Sequence, residues 1–224
     1  MQEKITPEML LNAYASGYFP MAETRNAQEL YWFYPEVRGI LPLDGFHVPR
    51  SLEKLLRKHP FTIRKNTAFE QVMRACAAPR PERPESWINE EIITLYTQLH
   101  HMGYAHSVEA WREEPAAPAG GPALSHASGE GQQARSRSAY TLVGGLYGVA
   151  LGGAFFGESM FSHESGASKV ALVHLVQRLK HAGYTLLDAQ YSNPHLVQFG
   201  VQEIPRKAYL QKLRAALQVM PKEF

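Results

Sequence analysis

The sequence has little cysteine and no long apolar run. Cys76 is the single cysteine among 224 residues, so the chain cannot form an internal disulfide, and this composition fits a reducing, cytoplasmic compartment. No stretch approaches the roughly 20 apolar residues that a membrane-spanning helix needs. The first residues also lack the basic and apolar segments of a signal peptide. We therefore expect no membrane partner.

A strong charge of one sign is missing as well. The 23 Lys and Arg residues nearly balance the 21 Asp and Glu residues, and the net charge is +2. This balance argues against a strongly basic protein that coats nucleic acid, although it permits a local basic patch on a tRNA-binding protein. The sequence contains no Walker loop, zinc-ligand set or Ser-His-Asp arrangement. We therefore expect neither a metal nor a cofactor.

Local patterns predict several helices. Thr6, followed by proline and glutamate, is typical of a helix start. Asn66 or Thr67 is expected to cap a later helix that contains Cys76. That helix is amphipathic, and we expect Cys76 to pack in the core rather than to act as a nucleophile.

Polar residues stand out in an otherwise apolar stretch, residues 142–190. Its pattern predicts two strands, a helix capped by Ser165, and a further strand. Glu158 falls where the second of these strands is predicted to end, a place where α/β folds often locate chemistry. Asp188 and Gln190 are two positions apart on the last strand and are expected to share a face. Such a pair either forms a satisfied core network or does chemistry, and the spacing leaves both open.

Seven sequence blocks stand out along the chain. They are Gly-Tyr-Phe-Pro-Met (17–21), Trp-Ile (87–88), Gly-Tyr-Ala-His-Ser-Val-Glu-Ala-Trp-Arg (103–112), Gly-Gly-Leu-Tyr-Gly-Val-Ala (144–150), Gly-Glu-Ser-Met-Phe-Ser (157–162), Ala-Ser-Lys (167–169) and Asp-Ala-Gln (188–190). Together these blocks resemble bacterial leucyl/phenylalanyl-tRNA–protein transferases, occur in the family's order and span most of the chain. The chain resembles a short form of the family that lacks an extra N-terminal segment.

The expected fold is α/β (α+β) with two domains. Residues 1–60 are predicted to form a small N-terminal domain. For residues 61–224 the resemblance implies an N-acetyltransferase-like domain with a mixed, largely antiparallel central sheet flanked by helices. Within it, residues 113–139 are rich in Ala, Pro, Gly, Ser and Gln, and we expect a flexible insertion there. Residues 221–224 are expected to be loose.

The resemblance implies an aminoacyltransferase. Such an enzyme moves Leu or Phe, and in some members Met, from aminoacyl-tRNA to the α-amine of a protein that begins with Arg or Lys, which marks that protein for degradation. Its partners would be the charged tRNA and the acceptor protein, and we expect a cytoplasmic monomer. The donor ester is already activated, so the reaction requires no ATP, metal or cofactor.

Three residues are predicted to carry the chemistry. Asp188 is expected to act either as the base or as the anionic anchor of a relay. Gln190 is expected to hydrogen-bond the attacking amine and to pass its proton towards Asp188, because an amide alone is a poor base. Glu158 is expected to orient the α-amino group of the donor or the cationic end of the acceptor.

Further residues are predicted to bind the substrates. The resemblance implies that Trp111 stacks on the terminal adenosine of the tRNA, although an aromatic that fills a core gap is the alternative. Met160 is expected to line a pocket for a Leu or Phe side chain, or else to belong to the ordinary core. The other predicted substrate-binding residues are Ser162, Gly144 and Gly145.

Three arginines are predicted to contact tRNA. Arg38 follows an aromatic segment, and Arg80 and Arg83 lie in the proline-rich stretch 79–84. Arginine suits bidentate contacts with phosphate, but this stretch is equally compatible with a stiff surface turn.

A different enzyme class also fits part of the pattern. The glycines of residues 144–150, followed by a helix, suit an acyl-CoA-dependent N-acyltransferase of the same fold, in which backbone amides hold a pyrophosphate. A binding module in which Asp188 and Gln190 are structural is a third possibility. Retention on immobilised CoA would favour the acyltransferase, and protection by aminoacyl-tRNA would favour the transferase.

Overall fold

A computed structural model describes residues 5–27, 29–80, 84–114 and 139–224. Arg83 and residues 115–138, which make up most of the predicted insertion, lie outside the described residues. The described helices are α1 (Pro7–Ala15), α2 (Arg50–Arg57), α3 (Phe69–Ala77), α4 (Glu90–His101), α5 (Ala167–Ala182), α6 (Pro194–Val197) and α7 (Arg206–Leu217). The strands are β1 (Phe19–Ala22), β2 (Leu30–Phe33), β3 (Val37–Ile40), β4 (Thr62–Lys65), β5 (Ala105–Glu113), β6 (Tyr140–Leu151), β7 (Ala154–Ser162), β8 (Leu186–Gln190) and β9 (Gln202–Pro205).

A seven-stranded sheet forms the centre of the fold. Its strand order is β4-β5-β6-β7-β8-β3-β9. The β7–β8 pair is parallel and the other pairs are antiparallel. Helix α5 connects the two parallel strands, as a parallel pair requires a crossover of this kind. The predicted mixed, largely antiparallel sheet with flanking helices is confirmed.

The N-terminal segment contributes to this larger sheet. Strands β1 and β2 form a separate two-stranded sheet, but β3 pairs with β8 on one side and with β9 on the other. Leu10 and Tyr14 of α1 belong to the same core cluster as Tyr147 and Phe156 of the large sheet. The domain division at residue 60 stays a prediction, and the pairing of β3 favours a boundary that precedes Val37.

Several helix ends follow the sequence signals. The backbone N–H of Met9 donates to Oγ1 of Thr6 at 3.2 Å, which confirms the predicted cap of α1. Asn89 caps α4 by accepting from the backbone N–H of Ile92 at 2.9 Å. Gly183 ends α5 with a φ of 87°, a conformation that favours glycine.

The start of helix α3 is capped by a side chain from strand β5. Neither Asn66 nor Thr67 supplies the expected cap of this helix, because the carboxylate of Glu109 on β5 takes that place. It accepts from the backbone N–H of Thr67 at 2.9 Å and of Ala68 at 3.1 Å, and from Oγ of Ser107 at 2.7 Å. Glu109 is fully buried. These donors satisfy a charge that would otherwise be costly to bury.

Two expectations around β7 are wrong. Strand β7 extends to Ser162, so Glu158 lies within the strand and not at its end. Ser165 does not cap α5, because Gly166 occupies the N-cap position without a side-chain hydrogen bond. Ser162 partly replaces that cap, since its Oγ accepts from the backbone N–H of Ser168 at 3.1 Å.

The C-terminal residues are packed against the sheet. Phe224 is 4% exposed, and its ring lies 5.4 Å from the ring of Phe155 and 4.3 Å from that of His106. The expectation of a loose tail is therefore wrong. Cys76 is fully buried in the core, as predicted. Within the described residues, no helix is both long and apolar enough to cross a membrane.

Candidate active site

A cavity of about 670 Å³ opens beside strands β7 and β8. It is lined by all three residues predicted to carry the chemistry, Glu158, Asp188 and Gln190. Met160 and Ser162 also line it, as predicted for substrate binding. Apolar side chains make up much of the remaining wall, among them Met21, Leu146, Leu172, Leu175, Leu187 and Leu196.

Asp188 is held by a buried ion pair. Its side chain is fully buried, and Oδ2 accepts from Nη2 of Arg38 at 2.6 Å and from the hydroxyl of Tyr209 at 2.6 Å. Oδ1 accepts from Nε of Arg38 at 3.0 Å and from the backbone N–H of Gln190 at 2.8 Å. Both carboxylate oxygens therefore already have strong donors.

Arg38 is part of the protein interior. Its side chain is 1% exposed, and its guanidinium lies 4.5 Å from the ring of Phe19 and 4.6 Å from that of Tyr209. Nη1 donates to the carbonyl oxygen of Gly17 at 3.2 Å. The expected contact of Arg38 with tRNA is corrected accordingly, because a guanidinium enclosed in this way is the partner of Asp188.

Gln190 links the two carboxylates. Its backbone φ of 61° lies in the left-handed region, which is uncommon for a residue other than glycine. In this conformation its backbone N–H faces Asp188, while Nε2 of its side chain donates to Oε1 of Glu158 at 2.9 Å. The side chain of Gln190 is thus bonded to Glu158 and not, as expected for a relay, to Asp188.

Glu158 has two unequal oxygens. Oε1 accepts from Gln190 and, at 2.6 Å, from the hydroxyl of Tyr14, which is itself hydrogen-bonded to the hydroxyl of Tyr96. Oε2 is buried and has no hydrogen-bond partner among the described residues. Burial raises the pKa of Glu158 to about 7, against the opposing effect of the hydrogen bonds from Tyr14 and Gln190. Burial also raises the pKa of both tyrosines, which keeps them as donors.

Trp111 and the two predicted glycines are not brought to the cavity. Trp111 lies on β5 beneath the guanidinium of Arg64, at 5.1 Å, and Trp87 is the tryptophan that lines the cavity. A Cβ on Gly144 would lie 2.5 Å from Cβ of Ala167, and one on Gly145 would lie 2.9 Å from the carbonyl oxygen of Val108. These glycines allow α5 and β5 to approach β6 closely.

Arg80 does line the cavity. Its Nη2 is buried and has no hydrogen-bond partner among the described residues. Arg83, predicted beside it, lies outside the described residues. In the part of the chain that the structure describes, no three His, Cys, Asp or Glu side chains come together as a metal site.

The sequence interpretation did not identify Tyr14, Tyr96 and Tyr209 as part of the site. Tyr14 lies on α1, and nothing in the sequence links it to Glu158, a residue 144 positions later. The sequence does draw attention to Trp87, because this residue lies in one of the blocks that resemble the family. That block gave no indication that Trp87, and not Trp111, would face the cavity.

Comparison with known protein families assigns the chain to one of them. The model of the leucyl/phenylalanyl-tRNA protein transferase family matches residues 40–121 and 125–214, and the model of the N-terminal domain of the same family matches residues 3–36. The chain belongs to the leucyl/phenylalanyl-tRNA protein transferase family. This membership confirms the resemblance seen in the sequence blocks and makes the chain an aminoacyltransferase. The match to the N-terminal model ends at residue 36, just before β3, and the match to the other model begins at residue 40, the last residue of β3.

Curated relatives agree with the assignment. A leucyl/phenylalanyl-tRNA–protein transferase of Paramagnetospirillum magneticum is 54% identical over 213 residues, which cover 95% of this chain and 90% of the relative. One from Rhodospirillum rubrum is 51% identical over 216 residues, which cover 96% of this chain and 89% of the relative. The solved structure of L-PGS from Bacillus licheniformis aligns with 92% of this chain and 61% of its own, with 12% identity and a TM-score of 0.39. The family assignment rests on the sequence relatives.

Proposed function

We propose that this transferase moves Leu or Phe from the 3′ end of aminoacyl-tRNA to the α-amine of proteins that begin with Arg or Lys. The observation that carries the proposal is a cavity that joins an apolar wall to the carboxylate of Glu158, whose buried Oε2 has no hydrogen-bond partner among the described residues. The wall suits an aliphatic or aromatic side chain, and the carboxylate suits an amine. We further propose that the enzyme acts as a cytoplasmic monomer and that the added residue marks the acceptor for degradation.

The apolar wall would select the donor amino acid. Met160 is unbranched and adapts to side chains of different shape, and Leu172 and Leu175 of α5 face the same space. A γ-branched Leu or a planar Phe fits such a wall more readily than the β-branched Ile or Val. Transfer of Ile as fast as Leu would contradict this assignment.

Glu158 is assigned as the group that accepts the proton of the attacking amine. The nitrogen forms a bond to the ester carbonyl carbon, and the bond from that carbon to the ribose oxygen breaks. The proton lost by the amine passes to Oε2 of Glu158 and then to the departing ribose oxygen. Gln190 holds Glu158 in position through the hydrogen bond to Oε1. No metal or cofactor enters this scheme, because the donor ester is already activated.

Asp188 is assigned as the anionic anchor and not as the base. Arg38, Tyr209 and the backbone N–H of Gln190 already occupy its oxygens. The ion pair with Arg38 holds the carboxylate in place, and the carboxylate in turn accepts from the backbone N–H of Gln190 in its left-handed conformation. Asp188→Ala is expected to lower turnover through misplacement of Gln190 while tRNA binding stays nearly intact.

The test uses purified protein, tRNA charged with radiolabelled Leu, and two peptides that differ in their first residue, Arg or Gly. Label that appears in the Arg peptide alone, and that survives digestion of the RNA, supports the proposal. Equal labelling of both peptides would contradict the acceptor specificity. Absence of transfer, under conditions in which a relative is active, would contradict the proposal and direct the assay to CoA thioesters as donors.

A further inference from the structure

Two side chains that line the cavity each have one buried polar atom without a hydrogen-bond partner among the described residues. Nη2 of Arg80 and Oε2 of Glu158 both belong to residues that line it, and both atoms are buried without a hydrogen-bond partner among the described residues. A buried polar atom without a partner is costly, so such atoms often mark where a ligand binds. Apolar side chains line the same cavity. The complementary ligand therefore has a cationic or amine group, an apolar group and an anionic group.

Arg80 differs from three arginines near the sheet that form ion pairs. Arg38 is paired with Asp188, and Arg112 is paired with Glu164. Arg74 of the nearby helix α3 is paired with Glu70. Arg80 has no ion pair within the described part of the chain. A guanidinium in this state is suited to a planar, bidentate contact with phosphate or carboxylate.

We propose that Arg80 binds the 5′-phosphate of the terminal nucleotide of the aminoacyl-tRNA donor. This inference rests on the proposed function. Of the two substrates, the acceptor begins with a cationic residue, which Glu158 attracts and Arg80 repels. The donor places its aminoacyl group against the apolar wall, and its nearest anion is the phosphate one ribose away. In this arrangement Arg80 lies at the end of the cavity that binds the RNA, and Glu158 lies at the end that binds the amine.

The test compares two stable donor analogues. Both carry phenylalanine joined by an amide to the 3′ position of adenosine, and one of them also carries a 5′-phosphate. Binding is measured by calorimetry, so the readout does not require transfer. In the wild-type protein the phosphate is expected to tighten binding by roughly 10- to 100-fold, as for a hydrogen bond to a charged group. Arg80→Gln is expected to bring this ratio close to one, and Arg80→Lys to give an intermediate ratio.

Arg74→Gln serves as the matched control. Arg74 is half-exposed on α3 and does not line the cavity, so the variant is expected to keep the wild-type ratio. A wild-type ratio near one, or an unchanged ratio in Arg80→Gln with an unchanged thermal unfolding curve, would overturn the inference. If neither analogue binds the wild-type protein, the proposed function itself fails, and this inference fails with it.

Discussion

At the scale of residues, the site depends on how two carboxylates are held. Asp188 has its oxygens saturated by a buried arginine, a tyrosine and a backbone amide. Glu158 has one oxygen with two donors and one buried oxygen without a hydrogen-bond partner in the described part of the chain. The surroundings of the two carboxylates therefore differ. We propose that Asp188 fixes the geometry of the site and that Glu158 exchanges a proton with a substrate.

The raised pKa of Glu158 predicts a pH dependence of transfer. Below about pH 7 its carboxylate is protonated and does not accept a proton, so activity rises with pH through this range. The acceptor amine, with a pKa of about 8, must also be neutral. The logarithm of kcat/KM is therefore expected to rise with a slope approaching two below pH 7. Glu158→Gln is expected to lower kcat/KM by roughly 10²- to 10⁴-fold and to leave a slope of one.

A stability measurement provides the control for this prediction. The pKa of Glu158 is raised from 4.5 in an unfolded chain to about 7 in the folded protein, so the folded state binds its proton more tightly. The contribution of this group to stability is fully present below pH 4.5 and is lost as the pH rises through 7. Glu158→Gln, which keeps an acceptor for Tyr14 and Gln190, is expected to lack this decline in thermal stability. Parallel curves for both proteins would contradict the raised pKa.

At the scale of elements, α3 depends on a side chain from β5. Glu109 accepts from the backbone N–H groups of Thr67 and Ala68, the two residues just before the helix begins at Phe69. Glu109→Ala is expected to cost roughly 2–4 kcal/mol in the free energy of unfolding, because several buried donors lose a charged acceptor. Urea unfolding measures this loss.

Glu70 supplies the matched control for the cap of α3. It lies in the first turn of the same helix, and its ion pair with Arg74 is about half exposed. Glu70→Ala is expected to change the free energy of unfolding by less than about 1 kcal/mol. Equal losses in the Glu70 and Glu109 variants would show that Glu109 is not the cap that stabilises α3.

Gly144 lies where β6 and α5 approach each other closely, and a substitution there tests its role in packing. A methyl group at this position would meet Cβ of Ala167 at 2.5 Å, so Gly144→Ala is expected to destabilise the protein by roughly 1–3 kcal/mol. Gly45→Ala is the control, because its nearest contact would be Cβ of Pro42 at 3.4 Å, an ordinary distance. Thermal unfolding of both variants gives the comparison. A Gly144→Ala protein of normal stability that fails to bind donor would instead support the original assignment of Gly144 to substrate binding.

At the scale of the whole molecule, the two ends of the chain pack into the same body as the sheet. Tyr14 of α1 reaches Glu158 of β7, and Tyr209 of α7 reaches Asp188 of β8. Phe224 stacks on Phe155 of the central strand β7. The cavity is therefore supported from both ends of the sequence, and a change near either end is expected to affect it.

Phe224 provides a test of this packing. Phe224→Ala is expected to lower the free energy of unfolding by roughly 3–5 kcal/mol, because a buried aromatic ring is removed. Met220 is 96% exposed and lies four residues earlier, so Met220→Ala is expected to be nearly neutral. Chemical denaturation of the two variants compares them directly. A neutral effect of Phe224→Ala would mean that the C-terminal residues are as loose as the sequence suggested.

The sequence by itself determined the mixed α/β sheet, the helix cap at Thr6, and the presence of Glu158, Asp188 and Gln190 in one stretch. These are local properties, because capping, periodicity and short polar blocks each depend on a few neighbouring residues. The blocks that resemble the family add an indication of the activity. The sequence also predicted substrate binding for Met160 and tRNA binding for Arg80, and the structure brings both residues to the cavity.

The tertiary structure alone decided which partners these residues have. Arg38 and Asp188 are 150 positions apart, and Tyr14 and Glu158 are 144 positions apart. Such pairs form because β3 lies beside β8 and because α1 packs against the core of the large sheet. No local sequence pattern predicts either of these contacts. The physical reason is that periodicity identifies the buried face of an element, whereas the side chain that meets it depends on the arrangement of the whole sheet.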